Sequence, residues 1–87
     1  MNNKFRNEIL IEGYLYDRDL DNKSFKVNNN EDIIEFRYND EFNITVLEEL
    51  KVNELVRIKG SFDKDENGVF LLARGILVMP NFMEGDN

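Results

Sequence analysis

The sequence predicts a small all-β domain, a five-stranded barrel with a short helix between strands 3 and 4. Three observations carry that prediction. Apolar residues recur at every second position in separate stretches along the chain, the period of a half-buried strand. Clusters of Asn, Asp and Gly divide those stretches, and these residues supply the backbone conformations of tight turns. The chain has 87 residues, of which 41% are hydrophobic, enough for one core and too few for two.

The first strand is expected over Glu8 to Tyr16, with Ile9, Ile11, Gly13 and Leu15 on one face and Leu10, Glu12, Tyr14 and Tyr16 on the other. Gly13 weakens a flat strand, so it predicts a bend or bulge. Asp17 to Lys23 is a polar turn. Ser24 to Asn28 follows as a strand with Phe25 and Val27 inward, then a turn over Asn29 to Asp32. Ile33 to Tyr38 is the third strand, with Ile34, Phe36 and Tyr38 sharing a face. Residues 39 to 53 carry two patterns: Phe42, Ile44 and Val46 alternate, while Val46 to Leu50 suits a helical turn. A short helix over 45 to 50 is the expectation, with Thr45 as its cap and Glu48 completing a capping box. Leu55 to Phe62 places Val56, Ile58, Gly60 and Phe62 inward, and Val69 to Met79 is the last strand. Pro80 ends it, because proline has no N–H for a ladder. Residues 1–7 and 80–87 are expected as loose termini around a domain spanning 8–79.

The stretch SFDKDENGVFLLAR, Ser61 to Arg74, tests this scheme. Asp63, Asp65, Asn67 and Gly68 match the opening of a calcium loop. Such a loop needs a bidentate Glu at its twelfth position, and here that position is Arg74. Both flanks alternate like strands where the motif needs helices. The stretch is therefore expected to be a hairpin turning at Asn67-Gly68. Asp17, Asp19 and Asp21 fail as a calcium loop for the same kind of reason, with Asn22 and Asn28 at the positions for Gly and Glu.

Five strands with a helix after the third is the order of the OB-fold, a Greek-key barrel. Particular residues carry a family resemblance as well. Asn7-x-Ile9-x-Ile11-x-Gly13-x-Leu15 resembles the first strand of single-stranded DNA-binding proteins and of primosomal replication protein N. Leu50-x-Val52-Asn53-x-Leu55-Val56-x-Ile58-x-Gly60-x-Phe62 is similar to their fourth strand and its approach, and Leu71-x-Ala73-x-x-Ile76 to their fifth. Asn53 stands where most relatives have Gly, at a turn position that Asn also occupies. The resemblance implies binding of single-stranded DNA, with RNA as the alternative strand, in replication or recombination. It also implies association through the first strand, and so a homo-oligomer, with a dimer favoured, and contact with replication proteins.

The chemistry left open by composition is narrow. With no Cys and no His there is no disulfide frame, no Ser-His or Cys-His nucleophile and no zinc site of the usual ligands. No residue constellation suggests an enzyme, a cofactor or a metal. No apolar run is long enough to cross a bilayer, the first residues hold no signal-peptide core, and a cytoplasmic protein is expected.

The net charge is −7, which argues against phosphate affinity when taken as a total. Its expected distribution is uneven. Alternation places Lys26, Arg37, Arg57, Lys59 and Arg74 outward against Glu12 and Glu35, leaving the acidic excess on turns and termini. Tyr14 and Tyr16 fall on the same outward wall. A nucleic-acid surface of Tyr14, Tyr16, Lys26, Arg37, Arg57, Lys59 and Arg74, acting by charge and base stacking without sequence readout, is the leading expectation. Leu10, Ile33, Phe70 and Leu72 are more apolar than an outer wall needs and are the expected association patch. The rival expectation is an acidic interaction module on the same barrel that recruits a protein, or mimics nucleic acid, without binding it.

Overall fold

The computed structural model describes residues 8–79. Five strands close into a barrel in the order β1-β2-β3-β5-β4. They are β1 (Glu8–Asp19), β2 (Ser24–Asn29), β3 (Asp32–Arg37), β4 (Leu55–Asp65) and β5 (Gly68–Val78), with helix α1 (Ile44–Glu49) between β3 and β4. This is the predicted five-stranded OB architecture. The expected termini at 1–7 and 80–87, and the stop at Pro80, lie outside the described residues.

β1 is long because it serves two neighbours. Its first half pairs antiparallel with β4, Glu8 to Tyr14 against Ser61 to Leu55, and its second half pairs with β2. The changeover falls near Gly13, which is buried and pairs with Val56. A Cβ at Gly13 would stand 2.5 Å from Val27 Cγ1 and 2.6 Å from the carbonyl oxygen of Asn28. Gly13 therefore answers to the close approach of β2. The expected irregularity is displaced two residues onward, to a bulge between Leu15 and Asp17.

That bulge has a consequence for side-chain direction. Strict alternation after Leu15 would send Arg18 outward. With one extra residue, Tyr16 and Asp17 are both exposed and Arg18 aligns with buried Phe25. The Arg18 guanidinium then reaches the end of α1, where Nη1 donates to the carbonyls of Leu47 at 2.5 Å and Leu50 at 2.6 Å. At the helix C-terminus the last carbonyls lack i+4 partners, and that of Leu47 otherwise receives only a long 3.4 Å bond from the Leu50 amide. The helix begins one residue before its expected start: Asn43 is the cap, accepting from the Thr45 amide at 3.1 Å, in place of a Thr45–Glu48 box. Asn caps at least as well as Thr, and it comes first in the chain.

The core is apolar throughout, with no buried charged or polar side chain among the described residues. Leu15, Phe25, Val27, Phe36, Leu47, Val56 and Ile58 are fully buried, each contributing about 1.5–3 kcal/mol relative to exposure. The rings of Phe25, Phe36, Tyr38 and Phe42 form one cluster, three pairs stacked at centroid distances of 5.1–5.9 Å and Phe25–Tyr38 tilted at 6.3 Å. Burial of Tyr38 raises its phenol pKa above the ordinary value.

Three further expectations are corrected. β4 and β5 run past the barrel as a two-stranded arm, with Asp65 opposite Gly68 and Glu66-Asn67 at the tip. The hairpin is as predicted, but its tip lies one residue earlier, and Gly68 carries the positive φ of 125° at the foot of β5. Phe62, expected inward, keeps its phase but lies on this arm, 50% exposed. Leu72, expected outward, is buried, 8% exposed. It sits at the seam where β3 meets β5, opposite Arg37. Just beyond, a second bulge pairs Lys59 with Gly75 and Gly60 with Ala73, leaving Arg74 as the extra residue. No helix among the described residues is long and apolar enough to cross a membrane.

Candidate nucleic-acid interface

The outward wall over β1, β2 and β3 brings four of the seven predicted binding residues together. Tyr14 lies opposite Asn28, and the bulged pair Tyr16-Asp17 lies opposite Lys26. Lys26 in turn faces Glu35, and Ser24 faces Arg37. Tyr14 and Tyr16 are 50% and 53% exposed. Aromatic side chains this large are exposed at the expense of apolar burial, so two in succession beside a lysine form a surface suited to flat, apolar-faced ligands.

The other three belong to a different side of the barrel. Arg57 and Lys59 lie on β4, across β1 from Glu12 and Leu10, and Arg74 is exposed at the β5 bulge. Arg57 and Lys59 are not free for phosphate. Arg57 donates to Glu12 Oε2 from Nε at 2.8 Å and from Nη2 at 2.5 Å, and Lys59 Nζ stands 3.8 Å from Glu8 Oε2. Arg37 is engaged as well: Nη1 donates to Asp65 Oδ2 at 2.8 Å, and the guanidinium carbon lies 4.2 Å from the centre of the Phe70 ring. Asp65 thus reaches from the arm back to the wall. The Arg37 bond, together with the Asn67 amide at 2.8 Å, holds its carboxyl below the ordinary aspartate range. Lys23 does the same to Asp40 across 2.6 Å. Among the described residues, Lys26 and Arg74 are the two predicted binding cations that form no ion pair.

The four predicted association residues do not form one patch. Leu10 borders a cavity with Arg57, Lys59, Ile76 and Leu77. Ile33 and Phe70 line a separate groove of about 450 Å³ between β3 and the arm. Leu72 is buried. Val69 and Leu77, missed by the sequence reading, are exposed apolar residues beside these two hollows. Alternation puts both in phase with Leu71 and Ala73, so the pattern carries no signal for them: Val69 is exposed because it lies on the arm, and Leu77 because the bulge at Arg74 reverses the phase of β5.

The barrel is similar to solved OB-type structures. Apo-CusF from Escherichia coli, residues 6-88, superposes with a TM-score of 0.66 at 18% identity, covering 92% of this chain and 96% of that one. Ag(I)CusF gives 0.61 at 20%, covering 83% and 97%. OBody AM1L10, bound to hen egg-white lysozyme, gives 0.69 at 18%, covering 85% and 79%. At these identities the likeness establishes the fold alone. No protein-family model and no curated protein matches the chain.

Proposed function

We propose that this OB barrel binds single-stranded nucleic acid, in the manner of replication or recombination accessory proteins, along the wall formed by β1, β2 and β3. The observation that carries the reading is the half-exposed pair Tyr14 and Tyr16 beside Lys26, which lies opposite Asp17 and Glu35 and forms no ion pair among the described residues. Base–aromatic stacking contributes about 1–3 kcal/mol per base and tolerates any sequence. Strands 2 and 3 are also the face on which OB barrels take oligonucleotides.

Electrostatics limits the affinity. Arg37, Arg57 and Lys59 must each exchange a carboxylate for a phosphate, which returns little net attraction. On this wall Lys26 is the one predicted binding cation outside an ion pair among the described residues, and it predicts a log K against log salt slope of about −0.7 for a single strand. Stacking then dominates, and the acidic loops repel duplex.

The silver named with CusF does not carry over. A soft ion such as Ag(I) favours thiolate, thioether and imidazole donors. This chain has no Cys or His, and Met79 is the one methionine in the described region. Among the described residues no cluster of three or more His, Cys, Asp or Glu could hold a metal ion.

Anisotropy with labelled oligo-dT, at low and physiological salt and with duplex as control, tests the reading. Selective single-strand binding that a Tyr14→Ala/Tyr16→Ala double variant loses supports it. No binding at low salt defeats it.

A further inference from the structure

The tip of the β4–β5 arm holds a reactive pair of residues that neither the core nor the wall uses. Of all the asparagines in the chain, only Asn67 is followed by glycine. Glu66, Asn67 and Gly68 are exposed, and a Cβ placed on Gly68 would have nothing within 4 Å. Among the described residues the Asn67 side-chain amide forms no hydrogen bond. Other asparagines are tied down. Asn22 Nδ2 donates to Asp19 at 2.8 Å, and the Oδ1 atoms of Asn39 and Asn43 accept from the amides of Glu41 and Thr45 at 3.0 and 3.1 Å. Asn28 and Asn29 are half-buried in β2.

The amide carbon of an asparagine side chain lies within reach of the next backbone nitrogen, and joining the two closes a five-membered ring. A side chain on the following residue crowds that nitrogen, and glycine has none. We propose that Asn67 is a site of spontaneous deamidation, converted through a cyclic imide closed by the Gly68 nitrogen, and that Asp65 slows the conversion. The Gly68 nitrogen gives its proton to solvent and bonds to Asn67 Cγ. The Cγ–Nδ2 bond breaks, and Nδ2 takes a proton from water and leaves as ammonia. Water then opens the ring at one of its two carbonyls. Opening at Cγ restores the main chain with aspartate at 67, and opening at the main-chain carbonyl leaves isoaspartate.

Asp65 acts on the attacking atom. Its carboxylate accepts from the Asn67 amide at 2.8 Å and also from the amide of Gly68. An N–H held on a carboxylate resists losing its proton to solvent. Arg37, bonded to the same carboxylate at 2.8 Å, keeps it too weak a base to take that proton itself. Conversion adds one negative charge to a tip that already carries Asp63, Asp65 and Glu66. Isoaspartate also lengthens the main chain by one carbon beside the closing pair Asp65–Gly68. The inference is independent of the β1–β2 wall and of what binds there.

The test ages the folded chain in mildly alkaline buffer and follows each asparagine by peptide mapping, with a synthetic peptide of Ser61 to Arg74 setting the time scale. The expected result is a gain of about 1 Da at Asn67 before any other described asparagine, as a mixture of aspartate and isoaspartate. Asn67→Gln should abolish the gain over the same period. Asp65→Ala should speed it about fivefold, the loss of one ordinary hydrogen bond. Arg37→Ala, which releases the arm but keeps the carboxylate, should speed it less. Another described asparagine reacting first, or no gain at Asn67 by about ten half-lives of the peptide, would overturn the site. Aspartate without isoaspartate would overturn the ring route. An unchanged or slower rate in Asp65→Ala, or equal acceleration by Arg37→Ala, would overturn the role of Asp65.

Discussion

Arg18 Nη1 donates to the carbonyl oxygen of Leu47 at 2.5 Å, joining β1 to the end of α1 across 29 positions of sequence. The same nitrogen serves Leu50, so one side chain from the sheet completes the C-terminus of a six-residue helix with no basic residue in its own last turn. The bulge at Leu15–Asp17 turns Arg18 toward this job, and the same bulge leaves Tyr16 on the outer wall. Helix docking and ligand surface thus share one backbone irregularity.

Arg18→Ala leaves two part-buried carbonyls without their charged donor. Stability should fall by about 1–3 kcal/mol in urea unfolding. Faster amide exchange should appear at Leu47 to Leu50 before the barrel strands. Uniform exchange across the barrel would mean that Arg18 does not act through the helix.

Gly13→Ala should cost about 1–3 kcal/mol, since its methyl meets Val27 and the Asn28 carbonyl in a packed seam. Gly75, with open space around it, provides the comparison: Gly75→Ala should change the unfolding midpoint little. Similar losses at both sites would discount the close-approach explanation.

Asn53 has a φ of 76° and donates its amide to the Leu15 carbonyl at 2.8 Å. Asn53→Gly should be close to neutral. Asn53→Val should lose about 1–2 kcal/mol, the cost of a left-handed conformation with a branched side chain. Thermal melts of the two variants separate backbone strain from loss of the asparagine side chain, because Gly removes the side chain without the strain.

The Arg37–Asp65 pair makes the arm's attachment depend on acid. Hydrogen bonds from Arg37 and from the Asn67 amide lower the Asp65 pKa on folding. A lowered carboxyl contributes stability above its unfolded value, and that contribution disappears as pH falls through the folded value. The Asp65 carboxyl should therefore titrate below the ordinary 3.8 by NMR, and Arg37→Ala should move it upward. An unchanged midpoint in that variant would show that the pair does not hold the arm.

On the nucleic-acid wall, Lys26→Ala should flatten the salt slope by about 0.7 for a single strand. Arg57→Ala should alter it less, because Glu12 already neutralises Arg57. Tyr14→Ala and Tyr16→Ala should each weaken oligo-dT by about 1–3 kcal/mol at every salt concentration. A larger salt effect from Arg57 than from Lys26 would place the strand on the β4 side.

Much of this molecule was legible in one dimension. Period-two alternation identified all five strands, and the inward positions of Leu15, Phe25, Val27, Phe36, Val56 and Ile58 followed from it, because a strand has only two faces and a core accepts one of them. The short helix and the hairpin at Asp65–Gly68 followed from local propensity and turn chemistry, to within a residue. Tyr14, Tyr16 and Lys26 were placed outward by the same alternation. What only the tertiary structure decided were the two bulges, the seam and the charge pairs. A bulge reverses the phase of everything after it, so Arg18 turns inward without any change in the pattern that precedes it. Leu72 is buried because β3 arrives beside it from 35 positions away. Glu12 finds Arg57, and Asp65 finds Arg37, only once distant strands lie side by side, and those meetings decide which positive charges are left to act.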